Sequence, residues 1–347
     1  MVEELKQIAG LFLDETIVDI QPVTGGLINS TYKIETNQNQ CVVLQRINAN
    51  VFPDAHAIQW NMQHVGEFLQ QSGYPKEVLI PIHLKSGTTI YVDAQNDAWR
   101  MFPYIENTSC YQMLPNDAFA ENAARALGEL HGYLSQIPSE ELMVHLPDFT
   151  NLASRLLQYD HALVGASPDR IAMAETEIIQ LKKHSLIVNC FVELQEKLPV
   201  RIIHGDPKLS NFLFEKEGAQ VVALIDLDTL MPGTVLYDFG DMARSFCSLK
   251  SEESIEENGF NNQVYNVIKG SYLKSTSDFL TPLETQNMDL AVAAVMTVQA
   301  HRFLTDFLLG DVYYQIDHPM HNLHRAQNQL QVLAGFLEKV DLILSIK

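Results

Sequence analysis

RIIHGDPKLSNFLFEKEGAQVVALIDLDTLMPGTVLYDFGDMAR, residues 201–244, decides the reading of this chain. His204-Gly205-Asp206 follows a short apolar strand, and Asn211 comes five residues after Asp206. Asp226 comes fifteen residues after Asn211, at the end of the apolar run Val221–Ile225, and Asp228 lies just beyond it. The runs Phe212–Phe214 and Val221–Ile225 flank the polar Glu215–Gly218, which predicts a small hairpin. Such a hairpin brings Asp206, Asn211 and Asp226 together. A carboxylate on a loop can accept a proton. A second carboxylate and an amide oxygen across the hairpin suit Mg²⁺, which takes hard oxygen ligands and shares them with phosphates. Phosphoryl transfer needs this set: a base that orients the attacking hydroxyl, and cations that neutralise the phosphates.

Outward from that segment the chain changes character. Residues before Pro103 read as strand-rich. Ile17–Val23 predicts a strand, and Thr31–Glu35 and Cys41–Ile47 predict a hairpin across Asn37-Gln38-Asn39-Gln40. Ile58, Met62, Val65 and Leu69 recur at helical spacing, with Ser72-Gly73 and Pro75 as stop signals. Thr88–Val92 and Ala98–Phe102 read as a second strand pair. From Asn116 onward the periodicity is helical. Leu127, Leu130 and Leu134 make one stripe; Leu323, Leu330, Leu333, Leu337, Val340 and Leu344 make another. The expected organisation is a β-rich lobe over residues 1–102, a hinge at 103–107 and a larger, mainly helical lobe over 108–347. A cleft between two lobes is a favoured ligand site.

With 347 residues, 46% of them apolar and 19% charged, the chain can bury a core, and disorder is excluded. A net charge of −20 argues against a nucleic-acid partner. The N-terminal MVEELKQIAGLFLDE has no signal-peptide pattern. Leu290–Val298 is far short of the ~20 apolar residues that a membrane span needs, and reads as a buried helix. The four cysteines lie far apart with no CxxC, as for reduced thiols in a cytoplasmic protein. The sequence lacks GxxxxGK[ST] and GxSxG, the signatures of P-loop nucleotidases and α/β-hydrolases. His318, His321 and His324 read as surface or inter-lobe histidines. Glu252, Glu253, Glu256 and Glu257 read as a solvated run.

The ordered set HGDxxxxN, IDxD and Tyr237-Asp238-Phe-Gly parallels the protein-kinase pattern H-R-D-x-x-x-x-N followed by D-F-G. It resembles the aminoglycoside phosphotransferase/choline kinase superfamily over nearly the whole chain. VVLQRINANVFPD (42–54), LIDLDTLMPGTVLYDFGDMAR (224–244) and HRFLTDFLLGDVYY (301–314) further resemble N-acetylhexosamine 1-kinases. The resemblance implies an α+β, bilobal, protein-kinase-like fold that uses ATP and Mg²⁺, in a monomer or homodimer. It makes Asp206 the base that orients the acceptor hydroxyl and Asn211 and Asp226 the metal ligands, with Asp228 as an auxiliary. Asp238 would buttress the loop that His204 begins. Thr24–Thr31, with Gly25 and Gly26, would cover the phosphates through backbone amides. Glu67 falls on the helix that supplies an acid to anchor a lysine. Met101, Pro103 and Tyr104 fall in the hinge that holds adenine. Arg302 falls where a sugar-contacting arginine belongs, and Tyr313 either stacks on a sugar or packs internally.

Two departures stand out. The phosphate-anchoring lysine expected in Val42–Ile47 is missing: Gln45 has the alignment and Arg46 the charge, on opposite faces of a strand. The loop is Gly25-Gly26 instead of G-x-G-x-x-G. The implied acceptor is the anomeric hydroxyl of N-acetylglucosamine or N-acetylgalactosamine. Choline, homoserine and aminoglycosides are the alternatives on the same fold, and a non-catalytic nucleotide-binding pseudokinase is the alternative outside enzymology.

Overall fold

A five-stranded antiparallel sheet forms the first third of the chain, and the computed structural model describes residues 2–23, 28–340 and 342. Helix α1 (Val2–Ala9) precedes β1 (Ile17–Pro22), β2 (Ser30–Thr36) and β3 (Cys41–Ile47). Then come α2 (Ala55–Gln71), β4 (Tyr91–Val92) and β5 (Ala98–Pro103). The spatial order is β1-β2-β3-β5-β4. The expected hairpin is present: Asn39 takes a positive φ of 60° in the turn, a conformation that Asn tolerates. The expected strand at Thr88–Val92 shortens to Tyr91–Val92.

Strand alternation divides the sheet between two cores. Ile34, Val42, Leu44, Trp99 and Met101 face outward and are covered by Leu5 and Ile8 of α1 and by Phe12 and Leu13. These four covering residues recur at helix-like spacing, and burying each contributes roughly 1.5–3 kcal/mol. On the other face, Ile47, Ala98 and Phe102 join the large core that continues into α2 and the helical region. Helix α2 starts with Asp54 accepting from the Ala57 amide and stops at Ser72, followed by Gly73 at φ 74°.

The second region opens with β6 (Thr108–Ser109), α3 (Asp117–Leu134), α4 (Leu152–Gly165), α5 (Pro168–Met173) and α6 (Glu175–Gln195). Next come β7 (Arg201–Ile203), β8 (Phe212–Glu215), β9 (Val221–Leu224), β10 (Met231–Gly233) and α7 (Val235–Phe246). Helices α8 (Asn262–Ser275), α9 (Pro282–Gln286), α10 (Met288–Leu309) and α11 (His321–Leu337) complete the chain. The predicted hairpin is β8–β9, widened to three strands by β6. Helix α10, which contains the apolar Leu290–Val298, is almost wholly buried among α4, α6, α7 and α11. No helix among the described residues is long and apolar enough to cross a membrane. The α11 stripe ends at Leu337, and Leu344 lies outside the described residues. The architecture is α+β, as expected: a β-sheet N-terminal region and a helical C-terminal region.

Candidate active site

Strand β7 ends at Ile203, and the chain bends sharply through His204 and Gly205. Gly205 has φ +86°, and a Cβ there would sit 2.5 Å from the Thr229 carbonyl, so only glycine fits. The bend is fixed by Asp238 at the start of α7. Its carboxylate accepts from the amides of His204 (2.7 Å) and Gly205 (2.9 Å) and from Nε2 of His131 (2.9 Å). A carboxylate only accepts, so His131 carries a proton on Nε2, and its Nδ1 lies 2.7 Å from the Tyr272 hydroxyl. His204 donates from Nε2 to the Ile225 carbonyl (3.0 Å), tying the bend to the strand that leads to Asp226. Burial lowers the His204 pKa, so the ring is neutral at pH 7.

Asp206 projects from this bend. Lys208 Nζ lies 2.6 Å from its carboxylate. Desolvation works against the Lys208 ammonium, yet the carboxylates of Asp206 and Asp226 outweigh it and hold its pKa above the usual range. Asn211 donates to the Asp206 carbonyl (2.8 Å) and carboxylate (3.2 Å), which turns its own side-chain oxygen outward as an acceptor. Asp226 sits in the left-handed region, φ 64° and ψ 52°, a conformation Asp tolerates and one that concentrates at functional sites. Its pKa is pushed up to about 7, first by the surrounding protein that strips its hydration and then by the Asp228 carboxylate, with Lys208 and Arg100 pulling the other way. Excess negative charge at that point is what a divalent cation relieves. The hard-oxygen pair Asn211 and Asp226 fits Mg²⁺, which uses one or two protein ligands and completes its shell with phosphate and water. Among the described residues no cluster of three or more His, Cys, Asp or Glu could hold a metal ion.

On the sheet side, the lower face carries Gln45, not Arg46. Arg46 turns to the outer face, bonded to Asp97 at 2.9 Å and lying over Trp99, and so points away from the cleft. Gln45 accepts from Arg100 Nε (2.9 Å) and Nη2 (2.5 Å), its register partner on β5. Arg100 in turn reaches both oxygens of Asp228 at 2.6 and 2.7 Å. Asn29 adds a third bond to Asp228 at 2.8 Å. Asp228, expected as an auxiliary metal ligand, therefore has both oxygens engaged by the sheet side. Glu67 is exposed and, among the described residues, accepts only from Gln63, one turn back on α2, so no acid from that helix enters the cleft. In the expected hinge, the Met101 carbonyl accepts from Ile82 N (2.7 Å) and the Tyr104 amide donates to the Cys41 carbonyl (3.2 Å), so both already have a backbone partner. Pro103 is the last residue of β5. Gly25 and Gly26 lie outside the described residues.

Beside Asp206 opens a cavity of about 110 Å³, walled by Phe149, Lys208, Arg244, Arg302, Tyr313 and Tyr314. Arg244 is paired with Asp241 (2.7 Å) and with Glu252. Arg302 has no carboxylate partner among the described residues; it donates to Gln299 (3.0 Å) and lies between the rings of Phe149 and Tyr314. Asp306, buried, builds the aromatic wall. It accepts from the amides of Val312 (2.9 Å), Tyr313 (2.8 Å) and Tyr314 (2.9 Å) and from Asn322 (2.9 Å). Asp306→Asn would set an NH₂ against donors. We expect a stability loss of about 1–3 kcal/mol and an acceptor KM raised roughly tenfold with the nucleotide KM unchanged, as steady-state kinetics with each substrate varied will show.

The family model of the phosphotransferase enzymes matches residues 19–266. The chain belongs to the phosphotransferase enzyme family. Its fold is shared by the microcompartment-associated aminopropanol kinase, with TM-score 0.70 and 14% identity over 99% of this chain and 100% of that one. Spectinomycin phosphotransferase, solved with ADP and spectinomycin, gives 0.64 and 12% over 97% and 98%. Choline kinase from Cryptosporidium parvum Iowa II gives 0.59 and 14% over 98% and 97%.

Within this phosphotransferase the fold brings together Asp206, Asn211 and Asp226, supported by His204 and Asp238, and sets Arg302 and Tyr313 on the adjoining cavity. Lys208, Arg100, Asn29, Arg244 and Asp306 escaped the sequence reading. Lys208, two residues beyond Asp206, Arg244, three beyond Asp241, and Asp306, six to eight before the amides it caps, had local signals; Arg100 and Asn29 depend on strand pairing and long-range contacts. The glutamate run is not merely solvated. Glu252 pairs with Arg244, and Glu253 pairs with His321 and with Arg325 (2.9 Å), so His321 has an acidic neighbour in space.

Proposed function

We propose that this phosphotransferase is an ATP- and Mg²⁺-dependent small-molecule kinase whose acceptor is the anomeric hydroxyl of an N-acetylhexosamine. Arg302 carries the reading. A guanidinium without a carboxylate partner, set between aromatic rings on the wall of the cavity that holds Asp206, selects an acceptor bearing a neutral or anionic oxygen, such as an acetamido carbonyl. It disfavours cations such as choline and the aminoglycosides. The acidic groups on that wall do not offset it, because Asp206 is paired with Lys208, and Asp241 and Glu252 with Arg244.

Asn211 and Asp226 would hold Mg²⁺, which when bound neutralises charge on the phosphate oxygens. The Asp206 carboxylate accepts the proton of the acceptor hydroxyl as its oxygen bonds to the γ-phosphorus and the bond from that phosphorus to the β–γ bridging oxygen breaks. ADP leaves with that electron pair. The Lys208 ammonium, 2.6 Å from Asp206, offers a cation where the transferred group gains charge.

ADP release against hexosamines, hexoses, amino alcohols, homoserine and aminoglycosides tests the acceptor. N-acetylhexosamines are expected to be turned over fastest, with no turnover of choline. Turnover of choline or an aminoglycoside with none of any sugar overturns the reading. Arg302→Met removes a charged hydrogen bond worth about 1.5–3 kcal/mol. The expected result is an N-acetylhexosamine KM raised roughly 10–100-fold, equivalent to that energy, with the nucleotide KM unchanged.

A further inference from the structure

The geometry points to Arg100 as the positioning residue that takes over the tie which a strand lysine and a helix glutamate make in protein kinases. Both positions of that tie are altered here. Gln45 stands on β3 in place of the lysine, and α2 presents Met62 to the same spot, 3.2 Å from Arg100 Nη1, while Glu67 is exposed. The charge has moved one strand over, to the β5 register partner of Gln45. Its carboxylate has moved from the helix to Asp228, in the turn that directly follows Asp226.

Arg100 is 1% exposed and does not reach a ligand. Nε and Nη2 are spent on Gln45 and Asp228, Nη1 packs on the Met62 sulfur, and the guanidinium lies over the Phe102 ring. It acts through Asp228. The Asp228 carbonyl accepts from His145 (2.7 Å), and Asn29 joins Asp228 Oδ2 (2.8 Å) to the Asn48 amide (3.0 Å). The turn is thereby fastened to β5, to the start of β2 and to the residue after β3. Its first residue, Asp226, is then held under the sheet at the point where a metal–nucleotide complex would sit. A buried ion pair whose ends are both hydrogen-bonded specifies one geometry, and loss of either end leaves an uncompensated buried charge. A group of this kind orients the metal ligand without touching the metal.

This inference rests on the kinase reading, so binding and not turnover is the test. Mg²⁺·ADP affinity is measured by calorimetry on the full chain as wild type, Arg100→Met, Asp228→Asn and the double variant, each with its ligand-free melting temperature. Each single substitution is expected to weaken Mg²⁺·ADP binding roughly 10–100-fold. The double variant is expected to be no weaker than the worse single, because the second change removes nothing that the first left. Singles that melt lower but bind Mg²⁺·ADP as wild type overturn the proposal and leave a structural ion pair. Loss of binding in Arg100→Met alone, with Asp228→Asn unaffected, overturns it in favour of direct phosphate contact. A wild type that does not bind Mg²⁺·ADP sinks the kinase reading itself. Should Arg100→Met not fold, Arg100→Lys keeps the charge without the fork; weakened binding supports the proposal and wild-type binding overturns it.

Discussion

Asp206→Asn is expected to lower turnover by about 10²–10⁴-fold, the usual contribution of a general base, while Mg²⁺·ATP affinity stays within a few-fold of wild type. The substitution keeps the size of the side chain and the backbone bond from Asn211 to the Asp206 carbonyl, so the loop retains its shape. It removes the only carboxylate that projects from the His204-Gly205 bend, and with it the acceptor for the hydroxyl proton. Lys208 loses its 2.6 Å partner but still faces Asp226, so its ammonium stays in the cleft. Because the change touches the step and not the nucleotide site, kcat falls and the nucleotide KM does not. Single-turnover kinetics and nucleotide titration separate the two quantities. A variant with wild-type kcat on the best acceptor removes Asp206 from its role as base.

The catalytic loop was legible because its chemistry is local. Asp206, Asn211 and Asp226 fall within 21 residues, and a hairpin is the simplest way to join them. The missing lysine was legible too, but its replacement was not. Arg100 lies 55 residues from Gln45 and meets it only because β5 pairs with β3, and strand pairing is not written in either strand. Glu67 could have been excluded from spacing alone. Met62 faces the cleft, and five residues at about 100° each put Glu67 roughly 140° around the helix from it. Helix α1 has its signal in Leu5, Ile8 and Phe12, spaced three and four apart, but eight residues are too few for the periodicity to stand out. Glu253 looks solvated in the sequence because its partners His321 and Arg325 come 68 and 72 residues later, whereas the partner of Glu252, Arg244, is only eight residues away.

Asp238→Ala is expected to cost about 3–5 kcal/mol, the usual cost of stripping one partner from a buried charged network, and to take activity with it. Three donors converge on this carboxylate: the amides of His204 and Gly205, and His131 Nε2. All are buried, and alanine leaves the three unsatisfied. The two amides belong to the bend that aims Asp206, and Gly205 there holds a positive φ with no room for a side chain. Once the amides lose their acceptor, nothing else on α7 holds the bend against the Thr229 carbonyl. Asp238→Asn should be milder, about 1–2 kcal/mol. With its oxygen in the Oδ2 position it still accepts from the His204 amide and from His131 Nε2, and only the Gly205 amide is left facing the NH₂. Urea unfolding and kcat on the two variants measure this order. Equal losses for Ala and Asn would show that the negative charge is what counts. Wild-type stability and activity in both would mean that the bend is held without Asp238.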